Sequence, residues 1–462
     1  MSKLTTKQIA PFLVLLAVAV AAVFIPSLPA FDDAGKYSGA DITWLIVATA
    51  LVFLMTPGLA FFYGGMVHRK NVISTMMKSV VAAGVVSVLW VVVGYSLCFG
   101  TSIGGIIGSP STHLFFKDVA SGAPWSLAPT IPLTLFALFQ LMFAIITPGL
   151  VVGAVAERIR FNSYVLFIVL FSLLVYAPIA HWTWNPEGFL FKMGALDFAG
   201  GTVVHISAGC AALAGALVLK RRKSHMEHKE IPPANVPYVL IGTGLLWFGW
   251  FGFNAGSAGA ANALSVSAFA TTNTAAAAAG LSWMFFDVLK GKKPSVLGFC
   301  IGAVVGLVAI TPAAGFVAIP QSIFIGVVAA VISNTVVYYK SKTTLDDTLD
   351  VFPCHGVGGM VGMLMTGIFA TKSVNGAGAD GLLYGNADFF LTQVKALVIV
   401  VTYSFVVSYA IFKFINLILP IRVSEEDEEL GLDASQHNEK YSQGTLVVTT
   451  NGLVHEEANK NI

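Results

Sequence analysis

The sequence predicts an all-α polytopic membrane protein with eleven transmembrane helices in the mature chain, arranged as a 5+5 inverted repeat plus a final helix. Three observations predict it. The 462 residues are 56 % hydrophobic and only 11 % charged, whereas soluble domains are about 25 % charged. Such a chain cannot cover its surface with polar groups, which excludes a soluble enzyme, a disordered chain and a nucleic-acid binder. Apolar runs of about 20 residues, enough to cross a bilayer core, recur along the chain. The loops between them alternate in basic content. The net charge of +2 implies no bulk attraction to an acidic partner, and the 45 glycines suit helices that pack closely in lipid.

The first apolar run, roughly 10–30, follows Lys3 and Lys7 and ends at Pro26, Pro29 and Ala30. A basic start, a short apolar middle and a small residue at the end mark residues 1–30 as a signal peptide, with an uncleaved extra helix as the alternative. Eleven later runs are placed at 41–66, 79–108, 131–156, 161–180, 198–219, 236–256, 265–289, 295–312, 317–339, 352–371 and 388–418, which puts the membrane domain at 31–421.

If the mature chain starts outside, the inner loops hold Arg69, Lys70, Lys78, Arg158, Arg160, Lys220, Arg221, Arg222, Lys223, Lys229, Lys290, Lys292, Lys293, Lys340 and Lys342. The outer loops hold Lys36, Lys117, Lys192 and Lys372. Fifteen against four, alternating throughout, predicts an outer N-terminus and a cytoplasmic C-terminus. The tail, 422–462, is polar and carries Glu425, Glu426, Asp427, Glu428 and Glu429 in a row; it reads as a solvated charge run or as a docking surface. Cys98, Cys210, Cys300 and Cys354 lie in or beside apolar runs without a CxxC pair and read as small core residues.

An odd repeat unit inverts its own orientation, so spans one to five and six to ten become antiparallel copies, a common plan for transport proteins. The fifth span opens at Asp197-Phe198-Ala199-Gly200-Gly201 and carries His205. The tenth opens at Asp350-Val351-Phe352 and carries His355, then Gly356, Gly358 and Gly359. The other seven histidines, His68, His113, His181, His225, His228, His437 and His455, read as loop or tail residues, whereas an ionisable side chain at membrane depth is costly and marks a functional candidate. Two histidines at matching repeat positions point to a pathway, where imidazoles bond in a chain to a small neutral molecule or relay a proton. A neutral core histidine on a neighbouring helix is the plainer reading of each alone.

Asp197 reads as a helix cap first and as a cation attractor second. Phe136, Phe139 and Phe143 share one helical face. With Trp182, Trp184 and the run from Trp247 to Ser257, they read either as an interfacial aromatic belt or as a cation site of ring faces plus a hydroxyl. The reading finds no Gly-rich phosphate loop and no Walker, HExxH or GxSxG motif, and the outer loops are too short for an extramembrane catalytic domain. The residues therefore predict a non-enzymatic transporter or channel for a small substrate, with no cofactor and no metal site.

Four segments carry a resemblance. They are Thr56-Pro57-Gly58-Leu59-Ala60-Phe61-Phe62-Tyr63-Gly64-Gly65, Val155-Ala156-Glu157-Arg158, the run from Gly194 to His205, and the run from Trp250 to Gly259. They resemble the ammonium transporter family, relatives of the Rhesus proteins, and here a bacterial-type member; the likeness extends from about Asp41 to Tyr441. The resemblance implies a homotrimer in the inner membrane with one narrow pore per subunit, carrying ammonium or ammonia. It assigns Trp184, Ser257 and Phe139 to an outer cation-recruiting site supported by Asp197, Phe143 and Phe253 to a ring pair closing the pore beneath it, and His205 and His355 to the apolar lumen.

It also implies a cytoplasmic PII signal protein as partner at the tail. A Rhesus-like neutral gas channel and an ammonium sensor are the alternatives. The sequence departs from the family pattern at Trp184-Asn185-Pro186-Glu187-Gly188, which is less glycine-rich and puts Glu187 near the mouth. Asn438 stands where glycine is usual, and residues 442–462 run past the family's tail motif.

Overall fold

The computed structural model describes residues 6–25, 37–229, 231–441, 446–448 and 454–456. It is built almost wholly of helices. A first helix, α1 (Thr6–Val23), leaves its large side chains uncovered, with Phe12 66 % and Val23 78 % exposed. The expected cleavage signal at Pro26, Pro29 and Ala30 lies outside the described residues. Eleven long helices come next: α2 (Gly39–Met66), α3 (Arg69–Phe99), α4 (Leu133–Val155), α5 (161–184), α6 (Gly201–Leu219), α7 (Val236–Gly256), α8 (Ala263–Leu289), α9 (Val296–Ile310), α10 (Ile319–Lys340), α11 (Phe352–Phe369) and α12 (Ala387–Ile418).

Among the described residues nine of these are long and apolar enough to cross a membrane. The other two stand where spans are predicted but differ in kind. In α8, Ser265, Ser267, Thr271, Thr272, Asn273, Thr274 and Ser282 dilute the apolar run. The helix α9 is very apolar but only 15 residues long, and Thr311-Pro312 turns the chain at its end. The four cysteines are free and buried.

The second span differs from its predicted limits of 79–108. The helix begins before Val72 and stops at Phe99. Beyond Phe99 the chain forms a short antiparallel hairpin, β1 (Ser102–Ile103) with β2 (Ile107–Gly108). Gly104 and Gly105 turn it with φ of +63° and +76°. Ile103 and Ile106 lent the segment membrane-like hydropathy, yet both are more than half exposed. Lys78 accordingly lies inside α3 and not in a loop. It is 1 % exposed, and its Nζ donates to Ser74 Oγ at 2.5 Å.

Close backbone contact sets the packing. Helices α2 and α7 lie together along glycine-bearing faces, and a Cβ on Gly242 would sit 2.3 Å from the Phe62 backbone nitrogen. Near the centre, Gly209 of α6 and Gly356 of α11 touch: a Cβ on Gly209 would stand 2.2 Å from the Gly356 nitrogen. This contact lets the two helices that carry His205 and His355 approach each other, because small residues permit what larger ones forbid.

Opposite the Trp184 end, buried charges tie the loops together. The Arg222 guanidinium donates to Glu157 Oε2 at 2.6 Å and to Asp346 Oδ1 at 2.9 Å. The fully buried Arg158 donates to Thr348 Oγ1 at 2.7 Å and to the Asp346 carbonyl at 2.5 Å. Burial works against the charge of Asp346, but Arg158 and Arg222 outweigh it and hold its carboxyl well below the usual carboxylate range.

The tail docks on the same end through two short helices, α13 (Glu425–Leu430) and α14 (Leu432–His437). Asp433 accepts from the Ile73 and Ser74 N–H groups at 3.1 and 2.7 Å, capping α3 from outside its own sequence. The Leu432 N–H donates to Asn71 Oδ1 at 2.8 Å. Within the acidic run Glu425, Glu426 and Glu429 are exposed, as a solvated run should be. Glu428 instead turns inward, accepting from Arg422 at 2.7 Å and from the Lys223 N–H at 2.8 Å. Asn438 takes φ +54°, a left-handed conformation that glycine adopts freely and asparagine tolerates.

These contacts predict two outcomes. Replacing Arg222 by Met strands Glu157 and Asp346, and should lower stability by about 3 kcal/mol, read as a lower melting point in detergent. Asp346 has its folded pKa below its unfolded value near ~4, so its contribution is full above that pH and drains as pH falls further; the wild type should lose more stability on acidification there than Arg222→Met. Replacing Asp433 by Ala should speed proteolytic cleavage within residues 422–441 while the helices stay protected.

Candidate functional site

At the Trp184 end, α2, α4, α5 and α7 enclose a cavity of about 180 Å³ lined by Phe139, Phe143, Trp184, Asp197 and Ser257, among others. The candidate residues from four separate stretches of sequence thus converge. The rings pack edge to face: Phe143 is 4.9 Å from Phe139 and 5.8 Å from Trp184. The Trp184 indole N–H donates to the Asp197 carbonyl at 3.1 Å. This bond fixes the indole while its π system lines the cavity. The Ser257 hydroxyl donates to the Phe253 carbonyl at 2.8 Å, so its oxygen keeps its lone pairs for a donor-bearing guest.

Beneath the cavity the Phe143 and Phe253 rings pack face to face at a tilt of 36°, with centroids 4.2 Å apart. Both are buried, at 1 % and 0 % exposure. They separate the cavity from a second one of about 10 Å³, bounded by Leu59, Ile146, Leu246, Trp250, Val304, His205 and His355. That is room for about one water-sized molecule. His205 Nδ1 and His355 Nδ1 are 3.4 Å apart, a long hydrogen bond in which one ring must donate and the other accept. The buried His205 Nε2 has no partner among the described residues, which leaves it for a small guest. Trp250 stacks on His205 at 5.3 Å and is pinned by its N–H to Thr311 Oγ1 at 2.9 Å.

Two carboxylates hold the helices that carry these histidines. Asp197 accepts from the backbone N–H groups of Gly200, Gly201 and Thr202 at 2.9, 2.6 and 2.7 Å, and from the Thr202 hydroxyl. Its oxygens are spent on the start of α6. It stands beside the cavity as a cap of that helix, the first of the two readings the sequence gives it. On α11 the matching cap is Asp347, not Asp350. Asp347 accepts from the Val351 and Phe352 N–H groups at 3.0 and 2.8 Å, and it precedes His355 by the same eight residues that separate Asp197 from His205. Asp350 faces Lys340 Nζ at 2.6 Å. Both helices open with a wide π turn, Gly201–Ile206 and Phe352–Val357.

The chain's own features correct two further expectations. His181 is not a loop residue: it lies buried in α5, bonded through Nδ1 to the Cys98 carbonyl and through Nε2 to Ser102 Oγ, both at 2.8 Å. The segment Gly100-Thr101-Ser102-Ile103-Gly104 does have GxSxG spacing, contrary to the expectation that no such motif occurs. Ser102 sits on a hairpin strand and not on a strand-to-helix turn, and its Oγ accepts from the Gly105 N–H at 3.1 Å, so it shapes the hairpin. Glu187 does the same, accepting from the Ser102 N–H at 3.0 Å. Trp182 packs on Tyr403 at 4.6 Å and leaves the cavity to Trp184.

A model of the Ammonium Transporter Family matches residues 43–441. The chain belongs to the Ammonium Transporter Family. It is 46 % identical over 410 residues to the ammonium transporter of Bacillus subtilis, covering 88 % of this chain and 99 % of that one. The crystal structure of Saccharomyces cerevisiae Mep2 superposes with a TM-score of 0.82 at 36 % identity, covering 90 % and 94 % of the two chains. A structure titled Sensor Amt Protein superposes at 0.79 with 29 % identity, covering 86 % and 98 %.

Sequence reading of this family member missed Trp250 and Asp347. Trp250 lay in a run already quoted for its aromatics, but nothing in its spacing distinguishes a ring stacked on His205 from one in a lipid belt. Asp347 could have been found by requiring equal spacing to the two histidines. The two caps make a direct prediction. Asp197→Ala and Asp347→Ala should each strip a buried helix start of its acceptors and cost about 2 kcal/mol. Asp350→Ala, which removes one partner of a partly exposed pair, should cost less. Denaturant melts of the three variants side by side decide it.

Proposed function

We propose that the protein is an ammonium transporter that recruits the cation at the Trp184 cavity, deprotonates it there, and conducts ammonia past Phe143 and Phe253 into the histidine-lined chamber. One observation carries this reading. An aromatic cavity with a lone-pair hydroxyl, a stacked ring pair and an apolar chamber holding two bonded imidazoles succeed one another in a family member. Ring faces and Ser257 replace part of the water that a cation sheds on entering. The chamber is too apolar to hold a charge cheaply, so the species that crosses is neutral. The proton follows along the His205–His355 pair, which makes the transport electrogenic. A potassium ion has no proton to give up and pays the whole desolvation penalty.

The organisation that goes with this reading is an inner-membrane homotrimer. Each subunit has eleven spans in two inverted sets of five, α2–α6 and α7–α11, with α12 last. The equal Asp-to-His spacing in α6 and α11 supports the repeat. Residues 1–30 act as a signal peptide, the mature N-terminus lies outside, and the tail lies in the cytoplasm, where the exposed Glu425 and Glu426 are available to a PII-type signal protein while Glu429 pairs with Lys223. The likeness to Sensor Amt Protein keeps a sensor role as the second reading.

Purified protein in liposomes on a solid-supported membrane tests the mechanism. An ammonium pulse should give a transient current and a potassium pulse none. Replacing either His205 or His355 by Ala should abolish the current or open the pore to potassium. A pH change inside the vesicles without current would favour a Rhesus-like neutral channel. Wild-type currents and selectivity in both histidine variants would overturn the relay.

A further inference from the structure

Basic side chains gather where α8 and α10 end, on the side away from Trp184. Lys290 caps the end of α8, Lys292 and Lys293 follow it, and Lys342 lies just past α10. Lysines elsewhere at this end reach carboxylates: Lys340 meets Asp350, Lys223 meets Glu429 and Lys229 meets Glu227. Lys290 and Lys342 instead reach oxygens that carry no charge. Lys290 Nζ donates to Asn334 Oδ1 at 2.8 Å, and Lys342 Nζ donates to Tyr338 Oη at 2.7 Å. Both ammonium groups stand over the same Tyr338 ring, 5.0 and 4.0 Å from its centroid. The acid beside them, Asp287, is buried and accepts from Asn334 at 3.1 Å and from Lys292 at 3.3 Å. Lys290, Lys342 and the exposed Lys293 have no carboxylate at ion-pair distance among the described residues.

Like charges gathered around one ring repel, and the repulsion grows where acyl chains lower the local dielectric. The ring face offsets part of it; an anion set between the ammonium groups offsets the rest. One of these groups is already held in place, since Asn334 accepts from Lys290 and the Phe286 ring lies 4.3 Å from its Nζ. The surroundings say what carries the anion. Next to the lysines α8 turns apolar side chains outward, with Phe285 57 % and Leu289 82 % exposed. A free anion leaves that strip uncovered. A phospholipid covers it with an acyl chain while its phosphate meets the lysines, and a tyrosine at headgroup depth suits the same boundary.

We infer that Lys290, Lys293 and Lys342 form a headgroup site for an anionic phospholipid of the leaflet at this end, with the phosphate beside Tyr338 and an acyl chain along Phe285 and Leu289. A lipid seated there joins the end of α8 to the end of α10. A zwitterionic lipid brings its own cation to the same place, so the site prefers a headgroup of net negative charge. The site lies at the opposite end from the Trp184 cavity and does not depend on the recruitment reading.

The test is native mass spectrometry of the full-length, delipidated protein titrated with dioleoylphosphatidylglycerol and with dioleoylphosphatidylcholine. The wild type should bind the anionic lipid more tightly. Each of Lys290→Gln, Lys293→Gln and Lys342→Gln should weaken that binding about fivefold, the effect of one basic residue near an anionic headgroup. The three together should weaken it about a hundredfold and leave phosphatidylcholine binding unchanged. The triple arginine variant keeps the charges and should keep the preference; if it behaves as the glutamine variant does, charge is not responsible and the inference fails. Arg69→Gln, Lys220→Gln and Lys440→Gln, combined, remove equal charge from exposed positions elsewhere at this end; an equal loss there would mean diffuse attraction and no site. Millimolar inorganic phosphate should not displace the lipid, and displacement would make a free anion the ligand. A wild type without preference between the two lipids, as when a second copy of the chain covers the patch, overturns the assignment outright.

Discussion

Two helices begin inside this protein, and their first N–H groups cannot turn to water. Every other part of the site depends on how that is met. Asp197 and Asp347 each place a carboxylate at a helix start and accept its backbone donors. A buried, unsatisfied amide costs free energy on the scale of a lost hydrogen bond, so neither helix would hold its position without its acid. Position matters because each helix carries a histidine eight residues after its cap. The close contact of Gly209 with Gly356 then brings the two helices near enough for the imidazoles to bond. Caps, glycines and histidines therefore form a single device.

The same economy governs the cavity above. Donors that would repel a cation are consumed within the protein: the indole N–H of Trp184 and the hydroxyl proton of Ser257 both end on backbone carbonyls. Ring faces and the Ser257 lone pairs then dominate what the cavity offers, an environment that suits an N–H-bearing cation. Below the Phe143–Phe253 stack the balance reverses, and the chamber offers aliphatic walls and two neutral-capable rings. A charged species is welcome on one side of the ring pair and penalised on the other. That gradient, and no single residue, is the physical basis of the proposed loss of a proton between the two compartments.

The opposite end is built on charge instead of apolar contact. Arg222 joins Glu157 to Asp346, Arg158 anchors the segment before α11, and Asp433 of the tail caps α3. The loops that close the helix bundle and the tail that docks on them thus share one network, and a disturbance of the tail reaches the start of α3 directly.

The sequence alone determined the class of protein and most of its helices, since a membrane span is a local property: about 20 apolar residues either suffice to cross or do not. It also determined the histidines, because an ionisable residue in an apolar run stands out without any knowledge of its neighbours. It misjudged the end of α3, where Ile103 and Ile106 are apolar but sit in a hairpin, and the place of Lys78 and His181, whose polarity reads as a loop until their buried partners are seen. Only the tertiary structure decided that Trp184 and not Trp182 faces the cavity, that Trp250 stacks on His205, and that Asp347 rather than Asp350 caps α11. Each of these turns on which groups from distant parts of the chain meet at a few ångströms, and no spacing along one helix contains that distance.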